Sequence, residues 1–217
     1  MKSYVIFDLD GTLLNTIDDL ADATNYALRE NGFPQHGRWV YPTMVGNGVR
    51  KLIERALPAE ARAEQTVSAV LASFTNYYSE HCCDLTKPYP GIPELLDELT
   101  SRGINLAVTS NKYQQAVDTI IRHYFPDANF KAILGHEDDM PRKPDPSIVF
   151  KALSICPTPK SEVLYVGDSG VDMETARRAC VESVGVSWGF RTIIELKEYL
   201  ADHIISTPAQ ILDLLGE

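Results

Sequence analysis

The chain lacks a membrane span, a paired-cysteine motif and any excess of positive charge. No apolar run approaches the roughly 20 residues that cross a bilayer. The N-terminus enters an apolar strand pattern at once, without the charged start, apolar stretch and cleavage site of a secretory signal. A cytoplasmic protein with no membrane partner is therefore expected. Only four cysteines occur, Cys82, Cys83, Cys156 and Cys180, and none forms a Cys-x-x-Cys pair. A bridge between the adjacent Cys82 and Cys83 would be strained, so the thiols read as reduced. The five histidines are scattered and show no His-x-x-x-His spacing, which argues against a zinc site. A net charge of −10 over 217 residues disfavours a nucleic-acid partner, because phosphate backbones reward a basic face. It also means that an anionic substrate needs a locally positive site. No internal repeat or low-complexity segment is present. What remains is an ordinary composition, 44% hydrophobic and 23% charged, on a chain long enough for one or two domains.

Hydrophobic patterning divides the chain. Residues 3–8 read as a buried strand around Tyr4-Val5-Ile6-Phe7. A mainly helical block follows: Asp18–Asn31, with Leu20, Ala23, Ala27 and Leu28 on one side, then Val49–Leu57 ended by Pro58, then about Ala59–Cys83. No buried-strand pattern occurs between Leu14 and Leu85. The stretch Thr86–Pro93 is dense in Pro and Gly and reads as a linker into a different architecture. Beyond it, strands at Ile104–Thr109, Ala132–Leu134, Val163–Val166, Ser183–Val186 and Ile204-Ile205 alternate with helices. The helices are expected over Gln114–Tyr124, Ser147–Leu153, Asp172–Ala179, Ile193–Leu200 and Pro208–Leu215. Such alternation implies an α/β fold: a parallel sheet covered on both faces, with an inserted all-α unit. The expected division is a core of residues 1–14 and 88–217, and a helical cap of residues 15–87 joined by two connections.

Sites in open parallel sheets collect at the carboxyl ends of the strands. The first strand delivers Asp8 and Asp10, two carboxylates two residues apart, which repel unless a cation or shared proton compensates. The following turn at Gly11 can offer backbone N–H groups to an anion. Later strand ends deliver Ser110-Asn111-Lys112, then Lys143 with Pro144, then Gly167-Asp168-Ser169 with Asp172 one helical turn on. Each group has a task if the substrate is a phosphate monoester. Asp8 serves as nucleophile. Asp10 protonates the leaving alkoxide and then deprotonates the attacking water. Ser110, with Asn111 and amides expected at the start of the next helix, holds phosphoryl oxygens. Lys143 adds positive charge. Asp8, Asp168 and the Asp10 carbonyl suit Mg²⁺, a hard cation that prefers oxygen ligands. Asp172 either holds a water on that metal or orients Lys143. Each residue also has an ordinary explanation: a surface lysine, a Ser110 helix cap, a first-turn acid at Asp172. Four such groups at four strand ends, in the order an enzyme needs, outweigh those explanations together.

Asp8-Leu9-Asp10-Gly11-Thr12, Ser110-Asn111-Lys112, Lys143-Pro144 and Gly167-Asp168-Ser169 with Met173 resemble the four motifs of the haloacid dehalogenase superfamily. The likeness covers essentially the whole chain. It implies a Rossmann-like core of five or six strands and Mg²⁺-dependent chemistry through an aspartyl phosphate. The insertion between the first two motifs is similar to the α-helical cap of the phosphoglycolate phosphatase and β-phosphoglucomutase branch.

Two local matches go further. Val45-Gly46-Asn47-Gly48-Val49-Arg50-Lys51-Leu52-Ile53 is similar to the cap loop of phosphoglycolate phosphatases, and Ser187-Trp188-Gly189-Phe190-Arg191 also resembles that branch. Gly46 and Gly48 would let the backbone approach a small substrate, with Gly46, Asn47 and Arg50 as selecting residues. Asn47 equally fits a helix cap. The implied reaction is hydrolysis of a small phosphorylated metabolite, with phosphoglycolate favoured on the loop resemblance alone, by a monomer or homodimer. A mutase or a pyrophosphatase would share every core residue. A dehalogenase needs neither Asp10 nor a metal, and a non-catalytic phosphate binder needs no intact set, so the presence of all these residues argues against both.

Overall fold

The computed structural model of the protein describes residues 1–138 and 140–216. Two compact units are formed, one from Met1–Asn15 and Pro88–Glu217, the other from Thr16–Lys87.

The first unit is built on six parallel strands: β1 (Tyr4–Phe7), β2 (Asn105–Tyr113), β3 (Phe130–His136), β4 (Val163–Gly167), β5 (Glu182–Val186) and β6 (His203–Ile205). Their spatial order is β3-β2-β1-β4-β5-β6. The connections therefore run outward in one direction from β1 through β2 and β3, and in the other through β4 to β6. β1 stands at the point of reversal, where crevices form beyond the strand tips. All four of its residues are fully buried, as a continuous apolar run on a central strand requires. One core cluster joins Tyr4, Ile6 and Tyr165 of the sheet to Val149 and Ala152 of α6 (Ser147–Ile155) and Ala176 of α7 (Gly170–Ala179).

Every strand of this sheet overlaps an apolar run that predicts it, whereas α4 (Ile92–Ser101) is unexpected. The Pro/Gly density of 86–93 hides the helix start. Gly91 takes a left-handed conformation (φ 87°) as N-cap, and Pro93 fits the first turn, where its missing N–H costs nothing. Ile92, Leu95, Leu96 and Leu99 then bury one stripe at helical spacing. Helix α5 (Gln114–Tyr124) matches its expected bounds, α8 spans Ile193–Glu198, and the terminal turn Pro208–Leu214 is a 3-10 helix instead of an α-helix.

The second unit contains α1 (Ile17–Glu30), a 3-10 segment at Arg38–Thr43, α2 (Val49–Ala56) and α3 (Glu64–His81). α1 buries the expected Leu20, Ala23, Ala27 and Leu28, and Tyr26 stacks on Tyr77 of α3 with ring centroids 4.3 Å apart. The helix expected from Ala59 to Cys83 is broken. Ala59–Ala61 forms a separate 3-10 turn, and Ala63 is extended (ψ 148°), so the α-helix begins at Glu64. The Arg62 side chain folds back to donate to the Leu57 carbonyl at 3.1 Å.

Candidate active site

Asp8 follows the last residue of β1, and its N–H donates to the Val166 carbonyl of β4 at 2.8 Å. Its carboxylate is nearly inaccessible and accepts a 2.7 Å bond from Lys143 Nζ. The same ammonium donates to Asp172 Oδ1 at 2.7 Å and to the Thr109 carbonyl at 3.2 Å. Lys143 is thus a buried hub that bonds both Asp8 and Asp172. Burial opposes the Lys143 charge, but Asp172 and Asp8 outweigh it and hold the pKa well above the ordinary lysine value. Burial, then repulsion from Asp172, pushes Asp8 up to about 7, with Lys143 pulling the other way.

Asp172 sits in the first turn of α7. Its other oxygen accepts from the Ser169 hydroxyl at 2.6 Å and the Ser169 N–H at 3.2 Å, in a capping box that fixes the helix start over the strand tip. A methyl on Gly167 would overlap Asp172, so this closeness depends on glycine at the end of β4. Asp168 accepts the Phe190 N–H at 2.6 Å. Burial, Asp172 and Asp8 raise its pKa, while the Phe190 N–H and Arg191 work against them. Methyl groups at Gly11 or Gly189 would overlap the Asp168 side chain. Oxygens of Asp8, Asp168 and Asp172 lie within 4.8 Å of one another, a separation that one cation could bridge.

Two expectations change here. Gly11 does turn with positive φ (89°), but its own N–H, expected to face an anion, donates to the Leu14 carbonyl at 2.8 Å within the turn. Ser110 does not start a helix. β2 continues to Tyr113, and α5 begins only at Gln114. Opposite β3, Thr109 faces Leu134 and Tyr113 faces His136, so Ser110, Asn111 and Lys112 stand against Gly135 alone. This bulge turns three consecutive polar side chains inward, all of them buried. Gly135 makes room: a methyl there would meet the Gln114 backbone at 2.6 Å and the Lys112 carbonyl at 2.8 Å.

Within the bulge, Asn111 accepts the Lys143 N–H at 2.8 Å and donates to the Lys143 carbonyl at 3.1 Å. Its amide, expected to hold phosphate, is instead committed to the backbone of the lysine hub. Lys112 Nζ donates to Asp10 Oδ1 at 2.8 Å. No task is expected of Lys112 from the sequence, because the bulge that turns it inward leaves no mark in the strand pattern. Ser187–Arg191 likewise has no expected task, yet the Phe190 N–H donates to Asp168 and Trp188 Nε1 donates to the Thr12 carbonyl at 3.0 Å.

Gly46, Asn47 and Arg50 belong to the helical unit. Gly46 and Gly48 both have positive φ, 102° and 83°. Gly48, not Asn47, occupies the N-cap position of α2; the Asn47 side-chain oxygen accepts from Arg55 at 2.7 Å. Arg50 pairs with Glu54 and Glu64 inside the same unit.

A family model for haloacid dehalogenase-like hydrolases matches residues 5–186. The phosphoglycolate phosphatase of Aquifex aeolicus is 32% identical over 211 residues, covering 97% of this chain and 95% of that protein. That of Pasteurella multocida is 34% identical over 215 residues, covering 96% of each. The crystal structure of a candidate phosphoglycolate phosphatase from Lactobacillus delbrueckii subsp. bulgaricus has a TM-score of 0.93 at 32% identity, with all of both chains covered. With four strand-end motifs in place and a family model spanning most of its length, the chain belongs to the haloacid dehalogenase-like hydrolases.

Proposed function

We propose that this protein is a Mg²⁺-dependent phosphatase that hydrolyses a small phosphate monoester, with phosphoglycolate the favoured substrate. The carrying observation is the Asp8 carboxylate, fixed at the tip of a central strand with Lys143 Nζ 2.7 Å away and a separate carboxylate, Asp10, two residues on. The names of the relatives support the choice of substrate.

The acid cluster fits a divalent ion. Asp8 and Asp172 share the one Lys143 ammonium, and the Asp168 carboxylate beside them accepts the Phe190 N–H, so three buried carboxylates face a single bonded ammonium and negative charge remains in excess. Hard oxygen donors in such a setting suit Mg²⁺. Asp8, Asp168 and the Asp10 carbonyl would hold it. When bound, it supplies Lewis-acid polarisation of phosphoryl oxygens and neutralises charge.

The chain's own groups supply the rest. An Asp8 oxygen attacks phosphorus while the ester P–O bond breaks and Asp10 gives the leaving oxygen a proton. Water then attacks the aspartyl phosphate, Asp10 takes its proton, and the bond between Asp8 and phosphorus breaks to release phosphate. Lys143 stabilises the charge spread over the transferring group from a fixed seat. Phosphate release from phosphoglycolate and a panel of small monoesters, with Mg²⁺ and with EDTA, tests the reading. Release that requires Mg²⁺ and is fastest with phosphoglycolate is expected; no release from any ester overturns it.

A further inference from the structure

Asp8 and Asp10 each have their own lysine. Lys143 is seated on Asp8, and Lys112 on Asp10 at 2.8 Å. The Lys112 side chain is only 5% exposed, against 18% for Asp10. A buried ammonium bonded to a more open carboxylate restricts the rotamers open to that carboxylate. The backbone explains how Lys112 arrives there. Two extra residues in the β2 bulge turn its side chain toward β1's tip, and its N–H is held by the Ser110 hydroxyl at 3.2 Å. Gln114 latches the far side of the bulge to β3, accepting the Gly135 N–H at 2.6 Å and donating to the Ile133 carbonyl at 3.0 Å. The seat is therefore rigid, as a group that fixes another's position must be.

We propose that Lys112 is a positioning residue for the phosphatase reaction: its ammonium holds the Asp10 carboxylate in line for both proton transfers. The inference rests on the proposed phosphatase function. Asp10 handles a proton twice, once toward the leaving alkoxide and once from water. Alkyl esters need both transfers. Para-nitrophenyl phosphate needs only the second, because nitrophenolate leaves as a stable anion. A misplaced Asp10 should therefore slow both steps on an alkyl ester but only aspartyl-phosphate hydrolysis on the aryl ester.

The test is Lys112→Met, with Lys112→Arg as the charge-keeping variant, each checked for folding by thermal melt. On an alkyl phosphate, Lys112→Met is expected to lower kcat at least about 30-fold with KM within about threefold, within the range of general acid–base contributions. On para-nitrophenyl phosphate it should show a burst of about one equivalent of nitrophenolate before slow turnover. Lys112→Arg should recover kcat to within about tenfold of wild type. In an Asp10→Asn background, Lys112→Met should cost nothing further, because it acts through Asp10. A kcat within threefold of wild type, the absence of a burst, or an equal loss in the Asp10→Asn background would each overturn the inference. If Lys112→Met does not fold, Lys112→Gln, which removes the charge but keeps a donor, is measured against the same outcomes. A wild-type protein that releases phosphate from no ester overturns the parent reading and this one with it. Wild-type turnover alongside an unaffected Lys112→Met overturns this one alone.

Discussion

Asp19 and Thr86 tie the first turn of the helical unit to its last residues. The Asp19 carboxylate accepts the Thr86 N–H at 2.9 Å, the Thr86 hydroxyl at 2.7 Å and the Leu85 N–H at 2.9 Å. Three donors converge on one buried acid, and two of them are backbone groups just ahead of the short strand Lys87–Pro88. Asp19→Ala should cost on the order of 3 kcal/mol, since buried donors lose a charged acceptor. Urea unfolding of the full chain measures it; a loss under about 1 kcal/mol would show that water replaces the carboxylate.

Asp8→Asn should abolish turnover, by at least about a thousandfold, while the melting temperature stays within a few degrees. The amide keeps the shape and an acceptor for Lys143 but cannot attack phosphorus. Activity within about tenfold of wild type would remove Asp8 from the nucleophile's role.

The metal should bind more strongly as pH rises. Asp8, raised to about 7, and Asp168, also raised, take up protons on folding. The metal-free protein should therefore lose stability as pH climbs from about 4, the unfolded carboxylate range, toward 7. Mg²⁺ requires these groups deprotonated, so its stabilising effect should be larger at pH 8 than at pH 5. Melting curves with saturating Mg²⁺ and with EDTA at both values test this. Equal increments, or an increment that survives in Asp168→Asn, would place the ion elsewhere.

Asn111→Leu should lower kcat/KM about a hundredfold by freeing the Lys143 backbone. Asn111→Asp keeps the acceptor for the Lys143 N–H and should lose less. If the two variants are equally impaired, the second hydrogen bond matters as much as the first.

Asn47→Ala should change preference among phosphate esters while sparing para-nitrophenyl phosphate, which asks little of a selecting loop. Because Asn47 holds Arg55 at 2.7 Å, a uniform loss on every ester is the contrary result and would assign the residue to folding.

The strand ends that carry Asp8 and Asp168 were legible in the sequence because apolar runs stop abruptly beside them, whereas Lys143 lies seven residues beyond the end of β3 and is reached through a loop. Helix α4 was not, since Pro90-Gly91 and Pro93 resemble a linker until Gly91's left-handed turn is known. Nor was the division of labour within Ser110-Asn111-Lys112. Strand alternation would send Asn111 away from its neighbours, whereas the bulge breaks that alternation and aims each residue at a different target. Asn111's hold on Lys143 spans a separation of 32 residues, which no local pattern encodes.

The glycines around Asp168 act as bare walls. A methyl on Gly11 or on Gly189 would overlap the Asp168 side chain. An alanine at either position would have to push the acid aside. The turn after β1 and the loop after β5 are thus bound by one shared constraint: both must stay without a side chain for Asp168 to keep its place.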